Sequence, residues 1–200
     1  MRAGVPDRAY GAAGLALACL LLACLPEYLK AQLSWERGAI LGEQWWRLWT
    51  GHLVHFGLQH AMLDAIVLFA GASLLERELG TRRLLRQLLL AAPLVALGLL
   101  AAPGLDEYRG ASSLAAAAAL AAGIALWRDA RPWRPTLLAG GLAWACFSTV
   151  QAVRPEWSAA GLPEGVAVAW QAHLLGAACA LLPGWRAATC SAAGIRQPNT

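Results

Sequence analysis

The sequence predicts an all-α membrane protein: six transmembrane helices with an interfacial first loop. Three observations carry this. Of the 200 residues, 58% are hydrophobic and only 14% are charged, against roughly 25% charged in a typical soluble domain. The apolar residues gather in six long runs and leave no amphipathic stripe. The basic residues are shared unequally between the connections.

The runs cover residues 9–26, 56–75, 88–105, 111–127, 135–153 and 165–185. Each is close to the ~20 residues that cross a ~30 Å hydrocarbon core as a helix. A helix satisfies its own backbone groups in lipid, and the Ala-Leu runs lack the period-two alternation of an outer-membrane barrel. Arg2 and Arg8 precede the first run, and Leu21-Leu22-Ala23-Cys24 resembles a lipoprotein cleavage box. Five more spans follow, so a retained first helix is the reading adopted. The chain then divides into a cytoplasmic N-terminus (1–8), a membrane domain (9–185) and a cytoplasmic tail (186–200).

Orientation follows from the basic residues. One side would hold Arg2, Arg8, Arg77, Arg82, Arg83, Arg86, Arg128, Arg131, Arg134, Arg186 and Arg196; the other holds Lys30, Arg37, Arg47, Arg109 and Arg154. The positive-inside rule places both termini in the cytoplasm and turns the loops 26–55, 106–110 and 154–164 outward. The net charge of +4 is thus a topology signal, and nucleic acid is not expected as a partner. In the first outer loop, Trp45-Trp46-Arg47-Leu48-Trp49 suits the headgroup region. The five cysteines are odd in number and form no C-x-x-C. Four fall within spans and read as small apolar packing residues, so no disulfide framework or zinc site is expected.

Ionisable residues inside a membrane are costly and are functional candidates by default. His60 and Asp64 open the second span. His173 falls about eight residues into the sixth, roughly 12 Å deep at 1.5 Å per residue. Ser112 opens the fourth span just after Gly110. All four polar groups converge on the outer half of the bilayer. A serine hydroxyl becomes a nucleophile when an imidazole can take its proton, and His173 is the natural base. The free N–H groups at a helix start suit an oxyanion. Each residue also has a plainer reading. Ser112 could serve as an N-cap. His173 could be a helix–helix hydrogen bond or a haem or metal ligand. His60 and Asp64, at i and i+4, could pair. His52, His55, His60 and Asp64 together could form a metal site, although their spacing straddles a loop-to-helix boundary. No metal or cofactor is expected.

Trp46-Arg47, then Thr50-Gly51-His52-Leu53-Val54-His55, then His60 with Asp64 four residues on, resembles the first-loop and second-helix pattern of the rhomboid family. Gly110-Ala111-Ser112-Ser113 resembles that family's G-x-S-G motif, and Ala172-His173-Leu174-Leu175-Gly176 its A-H-x-x-G motif. Together these span about residues 45–180. The nearest likeness is to the rhombosortase branch, which is short and carries a similar T-G-H-L-V-H stretch. The resemblance implies a six-helix rhomboid-like bundle and an intramembrane serine protease with a dyad of Ser112 as nucleophile and His173 as base. It implies an oxyanion hole of the His60 side chain, Asp64 and the backbone N–H groups of Ser112 and Ala111, shaped by the Gly110 motif. Gly176 would let spans four and six approach closely.

Two positions depart from the pattern. Asp64 stands where rhomboids carry Asn, and an ionised carboxylate would repel an oxyanion. It could stay protonated and donate, or ion-pair with His60. Ser113 stands where the motif has Gly and adds a rival hydroxyl. These departures leave open an inactive relative that binds membrane helices; a six-span transporter or haem or metal protein is the remaining alternative. The implied substrates are exported transmembrane proteins with a C-terminal Gly-Gly tail. The implied place is the lipid bilayer of the bacterial inner membrane, with the active site opening to the periplasmic side.

Overall fold

The structure is a computed structural model that describes residues 9–129, 132, 134–154, 162 and 166–185. The expected N-terminal segment 1–8, the tail 186–200, Cys190 and most of the outer loop 154–164 lie outside the described residues. The fold is all-α apart from one small ladder. Its long helices are α1 (Tyr10–Ala23), α5 (Leu58–Leu79), α6 (Thr81–Leu99), α7 (Ser112–Asp129), α8 (Arg134–Val153) and α9 (Trp170–Cys179). Between α1 and α5 lie three short helices, α2 (Glu27–Leu33), α3 (Arg37–Leu41) and α4 (Arg47–Thr50). Strand β1 (Trp35–Glu36) pairs antiparallel with β2 (Glu107–Tyr108), Trp35 opposite Tyr108.

Two spans differ from the sequence expectation. The third was expected at 88–105, but α6 starts at Thr81 and ends at Leu99. Gly80, at φ +78°, turns the chain after α5, and α6 begins at once with the basic residues Arg82, Arg83 and Arg86. Pro103 and Gly104 then close the far end early. The sixth was expected at 165–185, but α9 is only ten residues long, followed by a 3-10 turn at Pro183–Trp185. The β-branched Val166 and Val168 stay outside the helix. His173 is therefore the fourth residue of its helix rather than the eighth of a long span. Among the described residues, α5 alone is long and apolar enough to cross a membrane; α1 and the apolar part of α7 are shorter.

Packing is inverted relative to a water-soluble protein. Leu58, Met62, Leu63, Ile66, Val67 and Phe69 stand exposed along α5, while the interior of α7 is an alanine face from Ala115 to Ala118. Small residues set the helix spacing. Gly71 of α5 lies against the backbone of Ala118 and Ala119, and a Cβ on Gly176 of α9 would fall on the Ser113 carbonyl. By contrast, α8 touches α7 and α9 sparsely. Glu76, buried at the end of α5, accepts the N–H groups of Gly11 and Ala12 at 2.9 Å each. A carboxylate is well placed at the start of α1.

The first loop is a folded unit pinned to α6. Pro93 has no N–H, which leaves the Leu89 carbonyl without its helical donor. The Trp49 indole N–H takes that carbonyl at 3.0 Å. His52 Nε2 donates to the Ala92 carbonyl at 2.9 Å, and the Trp35 indole to the Ala96 carbonyl at 2.9 Å. These acceptors are three and four residues apart and so share one face of α6. Arg37 closes the end of the helix, with Nη1 donating to the Leu100 carbonyl and Nη2 to the Ala102 carbonyl, both at 2.6 Å. Arg47 does the same for α2, donating to the Ala31 and Ser34 carbonyls at 2.8 and 2.7 Å. Basic side chains at helix C-termini are favourably placed. Four of the five basic residues assigned to the outer side are thus structural: Arg37 and Arg47 as helix caps, Lys30 paired with Glu27, and Arg109 bonded to Glu27 and Glu107.

Candidate active site

His60 and Asp64 lie one turn apart near the start of α5, with His60 Nε2 3.5 Å from Asp64 Oδ2. The turn before α7 closes over them. Gly110 has φ +135°, a region that favours glycine. A Cβ there would come within 3.0 Å of both His60 Nε2 and Asp64 Oδ2. The chain can therefore place the start of α7 against this pair only with glycine at 110.

Ser112 is the first residue of α7 and is half-buried. It faces a cavity of about 330 Å³ whose walls include His60, Asp64, Tyr108 and, from α9, His173. Trp144 and Phe147 of α8 close the far side. All four expected polar groups thus meet at one cavity. No hydrogen bond joins Ser112 to His173 among the described residues, and His173 Nδ1 is buried without a protein partner. A larger apolar cavity, about 730 Å³, lies between α7 and α8. Among its described lining residues Thr136 supplies the one hydroxyl, and none is ionisable.

Ser113 behaves differently. It is fully buried, and its Oγ lies 3.0 Å from His52 Nδ1. The Ala92 carbonyl can only accept, so His52 carries its proton on Nε2 and leaves Nδ1 to accept from the Ser113 hydroxyl. Burial pushes His52 down to about 4, which keeps the ring neutral at neutral pH. The Tyr108 hydroxyl lies 3.2 Å from Ser113 Oγ and donates to the Gly110 carbonyl at 2.5 Å. Burial pushes the Tyr108 phenol up to about 12. The result is a second serine–imidazole pair, hydrogen-bonded and closed to solvent.

His55, given in the sequence as part of the first-loop pattern and weighed as a metal ligand, lies beside the cavity pair. It is fully buried, with Nε2 3.2 Å from Asp64 Oδ2. The Ala111 N–H, expected to face an oxyanion, instead points at the same His55 Nε2 at 3.3 Å. Nearby, Arg109 lies 4.8 Å over the Phe56 ring, and Phe56 stacks on His60. Among the described residues no group of three or more His, Cys, Asp or Glu is placed to hold a metal ion. His52 in particular is turned to Ala92 and Ser113. The role of His52 was missed because a buried imidazole needs partners, and its partners Ala92 and Ser113 lie 40 and 61 residues away along the chain; those of His55 and Tyr108 include near neighbours, Asp64 and Gly110, that only the fold brings into contact.

The Rhomboid domain profile matches residues 42–189, a stretch that takes in the first loop from just after α3, all of the cavity residues named above and α9. A search of curated proteins finds no match.

Proposed function

The chain belongs to the rhomboid family and is an intramembrane serine protease of that type; on that premise we propose that Ser112 is the nucleophile and His173 its general base. The observation that carries this reading is the contact of Gly176 with the Ser113 backbone. It seats α9 against the first turn of α7, so that His173, one turn before Gly176, faces the same cavity as Ser112. The Ser112 hydroxyl would attack the scissile carbonyl and pass its proton to His173. The tetrahedral oxyanion would be met by the Ser112 N–H at the start of α7 and by the His60 side chain. His173 would then return the proton to the leaving amine, and water would release the acyl group. The proposal includes the full six-span topology, with both termini cytoplasmic and the cavity opening outward in a bacterial inner membrane. It also includes rhombosortase-like substrates: exported proteins with a Gly-Gly segment, a transmembrane helix and a basic tail. Glycines weaken a helix, and a locally unwound segment suits a cavity bounded by the sparsely packed α8.

A second reading has its own observation: the Ser113–His52 hydrogen bond has the geometry of a nucleophile with its base. Against it, the Ser113 hydroxyl has no exposed surface. Labelling the membrane-embedded protein with a fluorophosphonate separates the two. Loss of label in S112A with retention in S113A supports Ser112, and the reverse pattern overturns it. Cleavage of a Gly-Gly-tailed reporter by wild type, but not by S112A, tests the substrate class.

A further inference from the structure

An acidic residue in an oxyanion site is a physical problem, because two like charges would meet in a medium of low dielectric. Asp64 is such a residue: it lines the cavity with Ser112 and His60. Its Oδ2 lies 3.2 Å from His55 Nε2 and 3.5 Å from His60 Nε2. The His55 and His60 rings meet edge to face with centroids 5.0 Å apart. His55 itself has no exposed surface, and its Nδ1 is buried with no partner among the described residues. Among the described residues its hydrogen-bond partners are two, the Asp64 carboxyl and the Ala111 N–H, both through Nε2.

We propose that His55 is a positioning residue for the reaction, sharing one proton with Asp64 so that the pair presents no net charge to the oxyanion. The inference rests on the reading of Ser112 as nucleophile. With the proton on Oδ2, a neutral acid faces a neutral imidazole; with the proton on Nε2, a carboxylate faces an imidazolium. Both arrangements hold the same proton and sum to zero. An imidazole nitrogen has a single in-plane site, so Nε2 cannot serve Asp64 and the Ala111 N–H together. When Nε2 engages Asp64, the Ala111 N–H is released beside Ser112. One buried nitrogen thereby both masks the carboxyl and governs a backbone donor next to the nucleophile. A carboxyl can then stand where the family pattern has an amide.

The test is a double-mutant cycle on the full chain in bilayers, with reporter cleavage as the readout. H55A is expected to lower kcat about a hundredfold, the scale of losing an oxyanion contact, with KM little changed. In the D64N background, where no carboxyl needs masking, the same substitution should cost at least about tenfold less, a coupling expected only of interacting sites. H55Q, whose amide oxygen can accept from a protonated Asp64, should recover part of kcat in the chain with Asp64. An equal proportional loss in both backgrounds, or a loss confined to KM, overturns the proposal and leaves His55 as a packing residue. If H55A does not fold, H55Q in the two backgrounds carries the comparison. Fluorophosphonate labelling of S112A, read separately, shows whether a failure belongs to the nucleophile assignment instead.

Discussion

Ser112 and Ser113 are neighbours in sequence, yet they stand in opposite environments. Ser113 has an imidazole at hydrogen-bonding distance, a phenol beside it and no exposed surface. Ser112 has no bonded base among the described residues but faces a cavity with His173, His60 and Asp64 on its walls. One helical residue is a rotation of about 100°, and here it divides a closed tie from an open site. A ready-made hydrogen bond is therefore a poor guide to reactivity. A nucleophile needs room for the carbonyl it attacks, and catalytic hydrogen bonds often tighten only once substrate is bound.

The strongest test of this contrast is to remove each hydroxyl in turn. S112A should lower reporter cleavage by more than about a thousandfold, as loss of a nucleophile does, while its melting temperature stays near wild type. S113A should keep activity but lose about 1–3 kcal/mol of stability, because His52 Nδ1 would be left buried and unpaired. Next in size is G176A, whose new methyl would fall on the Ser113 carbonyl. Overpacking against a backbone should cost about 3 kcal/mol and move His173 from the cavity, so that stability and labelling fall together.

The closed pair also has a pH signature. The folded-state pKa of His52, about 4, lies below its ordinary value of about 6.5, so the unfolded chain takes up the proton first. Stability should be complete above pH ~6.5, decline as pH falls toward ~4, and show a weaker slope in H52Q. Thermal melts at several pH values measure this. The smallest effect is expected of Y108F, which removes the bond to the Gly110 carbonyl. A loss of about 1 kcal/mol with activity retained would place Tyr108 with the closed tie; a large fall in kcat would attach it to the open site.

Much of this arrangement was legible in the sequence. The apolar runs gave most helices to within a few residues, and the membrane cost of His60, Asp64 and His173 singled out residues that do share a cavity. The limits of α6 and α9 were not legible. Hydropathy cannot register that Gly80 turns the chain so that a basic turn begins α6, or that residues 166–169 stay outside α9. Buried Glu76 was passed over because two of its partners, the N–H groups of Gly11 and Ala12, carry no side-chain signal, and the third, the Thr81 hydroxyl, is not ionisable. His52 and His55 were visible as residues, but their meaning was not. One answers to a carbonyl on α6 and the other to a carboxyl on α5, contacts that exist only after the chain has folded.

The gap that Pro93 opens in α6 reaches further than a local irregularity. The loop's anchors, Trp49, His52 and Trp35, find their acceptors at Leu89, Ala92 and Ala96, and the first of these is free only because proline donates nothing. The seat of the loop thus depends on the register of α6. Since the loop also carries His52 to Ser113 and His55 to Asp64, a missing proton on α6 is felt at the cavity: a helix that contributes no reacting group sets where the loop histidines stand.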